Sequence, residues 1–346
     1  MTSAWQQRGP FAWLLAPLAL VYYFAIAVRR LAYRSGWLST TRIAAPVIVI
    51  GNLYVGGTGK TPLTIELVRA LRQRGWTPGV VSRGYGGGER AARLVGPDSR
   101  ASEVGDEPLL INGVTGAPVA VGARRVSAAQ LLLQTQPACN VVIADDGLQH
   151  LPLARDIELA LVDERMLGNG WVLPAGPLRE APGRLADVDA IVLHAAERAP
   201  VEGVPWFRMA SRLADHAYRL GDRTEVVPLA ELASRQQGST LVITAAAGIG
   251  VPQRFFDMLR AVGLRIETLP LPDHHEYRNN PFRTCRTDLV LITEKDAVKC
   301  DRVDTLHSDR RIWVVALQAT VDVALVDLIE ARLNSLRKSP HGSSAA

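Results

Sequence analysis

Residues 46–61, PVIVIGNLYVGGTGKT, set an apolar run, a glycine loop and a Lys-Thr pair directly ahead of an amphipathic stretch that ends at Gly75. A strand that turns through glycines into a helix opening on Lys-Thr is the setting of a phosphate-binding P-loop. Backbone N–H groups wrap phosphate oxygens there, and the helix N-terminus adds its dipole. In this reading Tyr54, Val55, Gly56, Gly57, Thr58, Gly59, Lys60 and Thr61 hold ATP, with Lys60 neutralising charge and Thr61 ligating Mg²⁺. The generic pattern puts its first glycine where this chain has Tyr54, and the glycines are displaced to 56 and 57. A second apolar run, residues 141–144, ends in Asp145-Asp146-Gly147. A carboxylate at the end of a strand beside a P-loop is the Walker-B arrangement, which holds the magnesium hydration shell, and two adjacent acids call for a nearby cation. A solvated turn is the alternative.

Downstream of residue 45 the chain alternates β-rich and helix-like runs, the pattern of a parallel sheet covered by helices. Strands are expected at 46–53, 77–85, 118–122, 140–147, 156–163 and 189–194, with helices at 61–75 and 123–134. Periodicity is poor over 196–228, where VPWFRMASR reads as an edge strand or a connector. A second, smaller alternation begins at Ser239 and closes on the helical pattern VDVALVDLIEARLNSL. The fold class is therefore α/β.

The 346 residues carry a net charge of +5, and all of it lies at the front: residues 1–45 contain five arginines and no Lys, Asp or Glu. A nucleic-acid surface on the main body loses its support. Eight of the twenty aromatic residues lie in the same stretch, around eighteen uncharged residues from Phe11 to Val28. At 1.5 Å per residue such a helix reaches roughly 27 Å, slightly less than a bilayer core. Pro17 interrupts it, and arginines flank it. A helix dipping into one leaflet of an anionic membrane fits this best, the alternatives being a cleaved signal peptide and a buried core helix. Cys139, Cys285 and Cys300 form no metal-binding or disulfide pattern and read as small core residues.

Nine separated motifs carry a resemblance: GNLYVGGTGKTP, SRGYGG, GDEP, VGARR, DDGLQH, GPLRE, AGIGVPQRFF, DHHEY and TEKDAVK, in order from residue 51 to 299. Together they resemble the tetraacyldisaccharide 4'-kinase family, the lipid A 4'-kinases of Gram-negative bacteria. The resemblance implies transfer of the ATP γ-phosphate to the 4'-hydroxyl of tetraacyldisaccharide 1-phosphate, giving lipid IVA, at the cytoplasmic face of the inner membrane. It also implies an N-terminal membrane-associated helix (1–36), a P-loop NTPase-type α/β/α domain (40–205), a linker (206–228) and a smaller C-terminal α/β/α domain (229–336). A disordered tail (337–346) would follow.

By the same resemblance Asp106 is a catalytic base with His274 orienting it. Helix-start chemistry is the alternative for Asp106, and a surface histidine for His274. Glu180 joins Asp145, Asp146 and Thr61 around magnesium, while Tyr85, Gln149, His150 and Arg179 face the acceptor. Lys295 and Lys299 read equally as phosphate contacts or a solvated turn, and Arg124 and Arg125 as structural or lipid-phosphate residues. No obligate protein partner is implied. A membrane-surface ATPase switch of the partitioning type is the competing class, one in which GDEP and DHHEY have no role.

Overall fold

The computed structural model describes residues 5–84, 91–273, 275–277, 279–300 and 303–338. Its first element, α1 (Pro10–Arg34), opens on proline, where a missing N–H costs nothing. Ala12 and Ala19 are buried, and Leu15 and Tyr22 pack on the same side against the core. Their spacing makes one stripe. Trp13, Leu14, Leu18, Val21, Phe24 and Val28 remain exposed around the rest of the helix. Contacts to the body run along its whole length. Arg8 Nε donates to Asn169 O (3.0 Å) ahead of the helix, Tyr22 OH to Arg179 O (3.2 Å) at its middle, and Arg30 and Arg34 to Asp187 (2.5 and 2.9 Å) near its end.

The chain then builds β1 (Val47–Gly51), α2 (Lys60–Gln73), β2 (Pro78–Ser82), β3 (Arg93–Leu94), α3 (Ala101–Val104) and α4 (Asp106–Thr115). Next come β4 (Val119–Val121), α5 (Arg125–Thr135), β5 (Val141–Ala144), β6 (Ile157–Asp163) and β7 (Ala190–His194). Beyond β7 lie β8 (Trp206–Arg219), β9 (Asp222–Pro228), α6 (Leu229–Gly238), β10 (Ile243–Ala247), α7 (Pro252–Ala261) and β11 (Glu267–Pro270). The last elements are β12 (Leu289–Thr293), α8 (Glu294–Cys300), α9 (Asp304–His307), β13 (Ile312–Val321) and α10 (Val323–Lys338).

Among the described residues thirteen strands form one sheet, in the order β11-β10-β12-β13-β8-β7-β6-β1-β5-β2-β4-β3, with β9 on β8. The strands from β7 to β4 run parallel, as do β11, β10, β12 and β13. Burial on both faces explains the unbroken apolar runs of β1, β5 and β7. From β1 the chain crosses toward β2 on one side, while β6 takes the other side. The loop after β1 therefore sits at the switch point where α/β sheets bind ligands.

Residues 206–219 are neither edge nor connector, because β8 is the strand on which the two parallel sets meet. Residues 206–209 pair parallel with β7, and 209–219 pair antiparallel with β13, with a register shift between Val315 and Leu317. A strand serving two partners in opposite senses shows no single alternation, hence its weak pattern. The terminal helix also departs from its neighbours in sequence. Leu325, Ile329 and Leu333, one turn apart on α10, enter the core that holds Leu63, Leu67 and Leu71 of α2. Arg74 pairs with Asp327 and Glu330 at the rim, and Arg337 lies 3.8 Å over the Trp76 ring. At roughly 1.5–3 kcal/mol each, the buried leucines contribute far more than the exposed ion pairs. The helix runs to Lys338, so the segment expected to be a disordered tail begins inside it. Residues 339–346 lie outside the described residues.

Candidate active site

The P-loop leaves β1 through Asn52 and enters α2 at Lys60. Gly56 and Gly59 have φ of +100° and +103°, a region open to glycine at little cost. Its outer wall is the segment 177–179: Val55 N donates to Pro177 O (2.9 Å), and Arg179 N donates to Leu53 O (2.7 Å). A cradle of N–H groups needs its carbonyls turned outward and paired. Arg165 donates to Gly57 O (2.8 Å) and lies 4.3 Å over the Tyr54 ring, and Thr58 O is met by His194. Tyr54, Thr58, Lys60 and Thr61 are all buried.

From Lys60 a chain of polar groups runs away from the loop. Its ammonium donates to Asn52 Oδ1 (3.1 Å) and lies 3.5 Å from Asp146, which Arg179 holds through both carboxylate oxygens (2.9 and 3.0 Å). Burial would raise the Asp146 carboxyl, but Lys60 and Arg179 outweigh it and keep it below the usual range. Asp145 is the opposite case. Burial, then the carboxylates of Glu107 and Asp146, push it up to about 7. Thr64 Oγ1 donates to its Oδ1 (3.1 Å), while its Oδ2 has no hydrogen-bond partner among the described residues.

Gln149 donates to Glu180 (2.9 Å), whose second oxygen faces the buried Arg184 at 3.7 Å. Among the described residues no three His, Cys, Asp or Glu side chains gather as a metal cluster. Glu180 is thus turned to Gln149 and Arg184, whereas Asp145 and Asp146 stand at the end of β5. The His150 ring is pushed down to about 4, first by burial and then by Arg125, Arg155, Arg29 and Arg83. Arg125, itself buried, donates to the backbone carbonyl of Asp146 (3.1 Å).

Across the cleft, the conformationally unusual Gly105 (φ +93°) turns the chain into α4, so that Asp106 is buried at its first position. The Glu107 N–H donates to Asp106 Oδ1 (3.0 Å). Lys295 and Lys299, which are not on a solvated turn, lie on α8, 3.9 and 3.8 Å from Asp106 Oδ2. Lys295 also reaches Glu107 (3.1 Å) and Asp273 (3.8 Å). Burial would lower its ammonium, but Glu107, Asp106 and Asp273 outweigh it and raise it above the usual range.

A cavity of about 860 Å³ is lined by Thr58, Lys60 and Thr61 from one side and by Glu107, Arg254 and Lys295 among others. Arg254, on α7, pairs with Glu164 (3.0 Å) beyond β6. Tyr85 and His274 lie outside the described residues. Sequence reasoning missed Asn52, Arg165 and His194. A polar residue at the C-terminal end of a parallel strand was the available signal for Asn52 and His194, and Arg165 follows such an end by two residues.

The family model for tetraacyldisaccharide-1-P 4'-kinase matches residues 11–334. Proteins named tetraacyldisaccharide 4'-kinase from Herminiimonas arsenicoxydans and Janthinobacterium sp. (strain Marseille) are 49% and 48% identical. These matches cover 95% and 96% of this chain and 94% and 95% of the relatives. The LpxK of Aquifex aeolicus, solved in an "apo" form in complex with ATP, superposes with a TM-score of 0.77 at 27% identity. That match covers 93% of this chain and 99% of the other. With a P-loop at the switch point of its sheet and a family match over nearly its whole length, the chain belongs to the tetraacyldisaccharide 4'-kinase family.

Proposed function

We propose that the chain transfers the γ-phosphate of ATP to the 4'-hydroxyl of tetraacyldisaccharide 1-phosphate, a step of lipid A biosynthesis. One juxtaposition carries the reading: the cavity lined by Lys60 and Thr61 is also lined by Lys295, whose ammonium lies beside Asp106. A phosphate donor and an acid suited to accept a hydroxyl proton then belong to one cleft. Purified protein with ATP, Mg²⁺ and the disaccharide 1-phosphate in detergent should yield a new phosphomonoester. Absence of product from folded protein that binds ATP would overturn the acceptor assignment.

In this mechanism the P-loop amides and Lys60 take the phosphate oxygens, and Asp106 accepts the proton of the attacking hydroxyl, with His274 assigned to orient it. Lys295 and Lys299 hold the carboxylate in place. Thr61 and Asp145, whose buried Oδ2 has no hydrogen-bond partner among the described residues, form with Asp146 the oxygen-rich donor set that suits Mg²⁺. When bound, the ion would neutralise charge on the transferring phosphoryl group. Glu180 serves the same region by fixing Gln149. We assign the Arg83 and Arg179 guanidiniums and the uncharged His150 ring, with Tyr85, to the acceptor's phosphate and sugar, while the buried Arg125 holds the Asp146 carbonyl. The proposed division is a P-loop unit at 40–205, a linker at 206–228 and a smaller unit from 229, with α10 packed back on the first.

Membrane association rests on α1. A helix tied to the body before, within and near the end of its length lies along the protein, so we place it in the cytoplasmic leaflet of the inner membrane, parallel to the surface. Its exposed aromatic and aliphatic face enters lipid, and Arg29, Arg30 and Arg34 meet anionic headgroups. Asp187 offsets one of these charges, which leaves two at about 1 kcal/mol each. Replacing all three by glutamine takes this local charge from two positive to one negative, since Asp187 remains, and should weaken binding to anionic vesicles roughly 150-fold while leaving ATP affinity unchanged. Co-sedimentation and nucleotide titration measure both.

A further inference from the structure

Two of the side chains that hold the P-loop, Arg165 and His194, belong to none of the nine motifs. His194, the last residue of β7, is 8% exposed and uses both ring nitrogens. Nδ1 is 2.9 Å from Thr58 O, and Nε2 is 2.9 Å from Ser211 Oγ. A carbonyl can only accept, so the proton sits on Nδ1, and the Ser211 hydroxyl donates to Nε2. The carbonyl therefore fixes the tautomer, and the Ser211 hydroxyl, able to donate or accept, anchors the nitrogen that remains. The ring also presses on the next residue, since a Cβ at Gly59 would stand 2.8 Å from Nδ1. Glycine at 59 thus answers both its φ and the imidazole.

Ser211 lies on β8, two residues past the end of its pairing with β7 and within its pairing with β13, where it is opposite Ala319. The hydrogen bonds consequently run from the strand shared by both parallel sets to the loop that cradles phosphate. The groups facing the ring are Arg254, Asp163 and Glu164. Burial, reinforced by Arg254, outweighs the Thr58 hydrogen bond and the two acids and holds the imidazole below its ordinary pKa, so it stays neutral at pH 7.

We propose that His194, set in its Nδ1–H tautomer by the Thr58 carbonyl and anchored through Nε2 by Ser211, is a positioning residue that keeps that carbonyl turned out of the phosphate cradle and ties the P-loop to β8. The inference rests on the kinase reading only in taking a nucleotide phosphate as the loop's ligand. A histidine that merely fills space between strands would make no use of which nitrogen carries the proton.

Two near-isosteric replacements separate these roles. In H194N the amide nitrogen takes the place of Nδ1 and can still donate to Thr58. In H194Q the amide reaches the place of Nε2 and leaves the carbonyl unpaired. With a non-hydrolysable ATP analogue as probe, H194Q should weaken nucleotide binding about 10- to 100-fold and H194N should recover most of that loss. KM for the lipid acceptor should stay unchanged. S211A, a mild change that folds if any does, should weaken binding about threefold and move the His194 Nε2 ¹⁵N signal downfield through loss of its hydrogen bond, with the proton still on Nδ1.

Equal losses in H194N and H194Q would overturn the proposal. So would proportional rises in both KM values, or an S211A protein with unaltered ring signals. If the wild type binds the analogue with this pattern but does not phosphorylate the disaccharide, the acceptor assignment falls and the His194 assignment stands.

Discussion

Replacing Lys60 by alanine is expected to lower kcat/KM about 1000-fold, the scale on which a preorganised charge in a water-excluded site stabilises a transition state. Lys60 is 9% exposed, and its ammonium is shared between Asn52 and Asp146. Both partners hold the amine at the loop, so no reorganisation is needed when phosphate arrives. Without it, Asp146 is left to Arg179 and Arg125, and the positive charge nearest the phosphates is gone. The loss should fall on ATP, with the thermal shift by an ATP analogue abolished and acceptor KM little changed. Steady-state kinetics and melting curves measure this, and turnover within tenfold of wild type would refute the assigned role.

The second large effect is expected at Asp106. Asp106→Asn keeps the shape of the side chain and an oxygen to accept the Glu107 N–H, but cannot take a proton. If the carboxylate is the base, kcat should fall about 1000-fold, within the range general-base removal commonly produces, with KM for ATP changed less than threefold. Lys295 and Lys299 provide an internal comparison, since each lies within 4 Å of the same carboxylate oxygen. Lys295→Met should cost far less than Asp106→Asn, because it removes support and leaves the base. A drop in kcat of less than tenfold in Asp106→Asn would move the base elsewhere.

How much of this was legible in the sequence depended on distance along the chain. The P-loop, the Asp145-Asp146 pair and the apolar strands are local. Glycine at a positive φ, Lys-Thr opening a helix and acids ending a strand are properties of adjacent residues, so short windows reveal them. The uncharged run from Phe11 to Val28 is equally local, whereas which of its residues turn to the body and which stay exposed was not visible in it.

Pairings were not legible. Residues 206–219 looked irregular because β8 answers to β7 over one stretch and β13 over another, and no period describes two partners. α10 reads as the close of the second alternation, yet its leucines are buried against α2, more than 250 residues earlier. Lys295 and Lys299 were ambiguous for the same reason, since nothing in TEKDAVK states that α4 will lie across from it.

The sequence by itself determined what each segment is: phosphate loop, acid-tipped strand, apolar helix, and the family in which these motifs occur in this order. Only the tertiary structure decided what each segment meets. It brought Lys295 to Asp106, Ser211 to His194 and His194 to the Thr58 carbonyl, across separations of 189, 17 and 136 residues. The reason is physical. Backbone propensity and hydrophobic period act over a few residues, whereas a buried charge or carbonyl is satisfied by whatever group the packed sheet brings within about 3–4 Å.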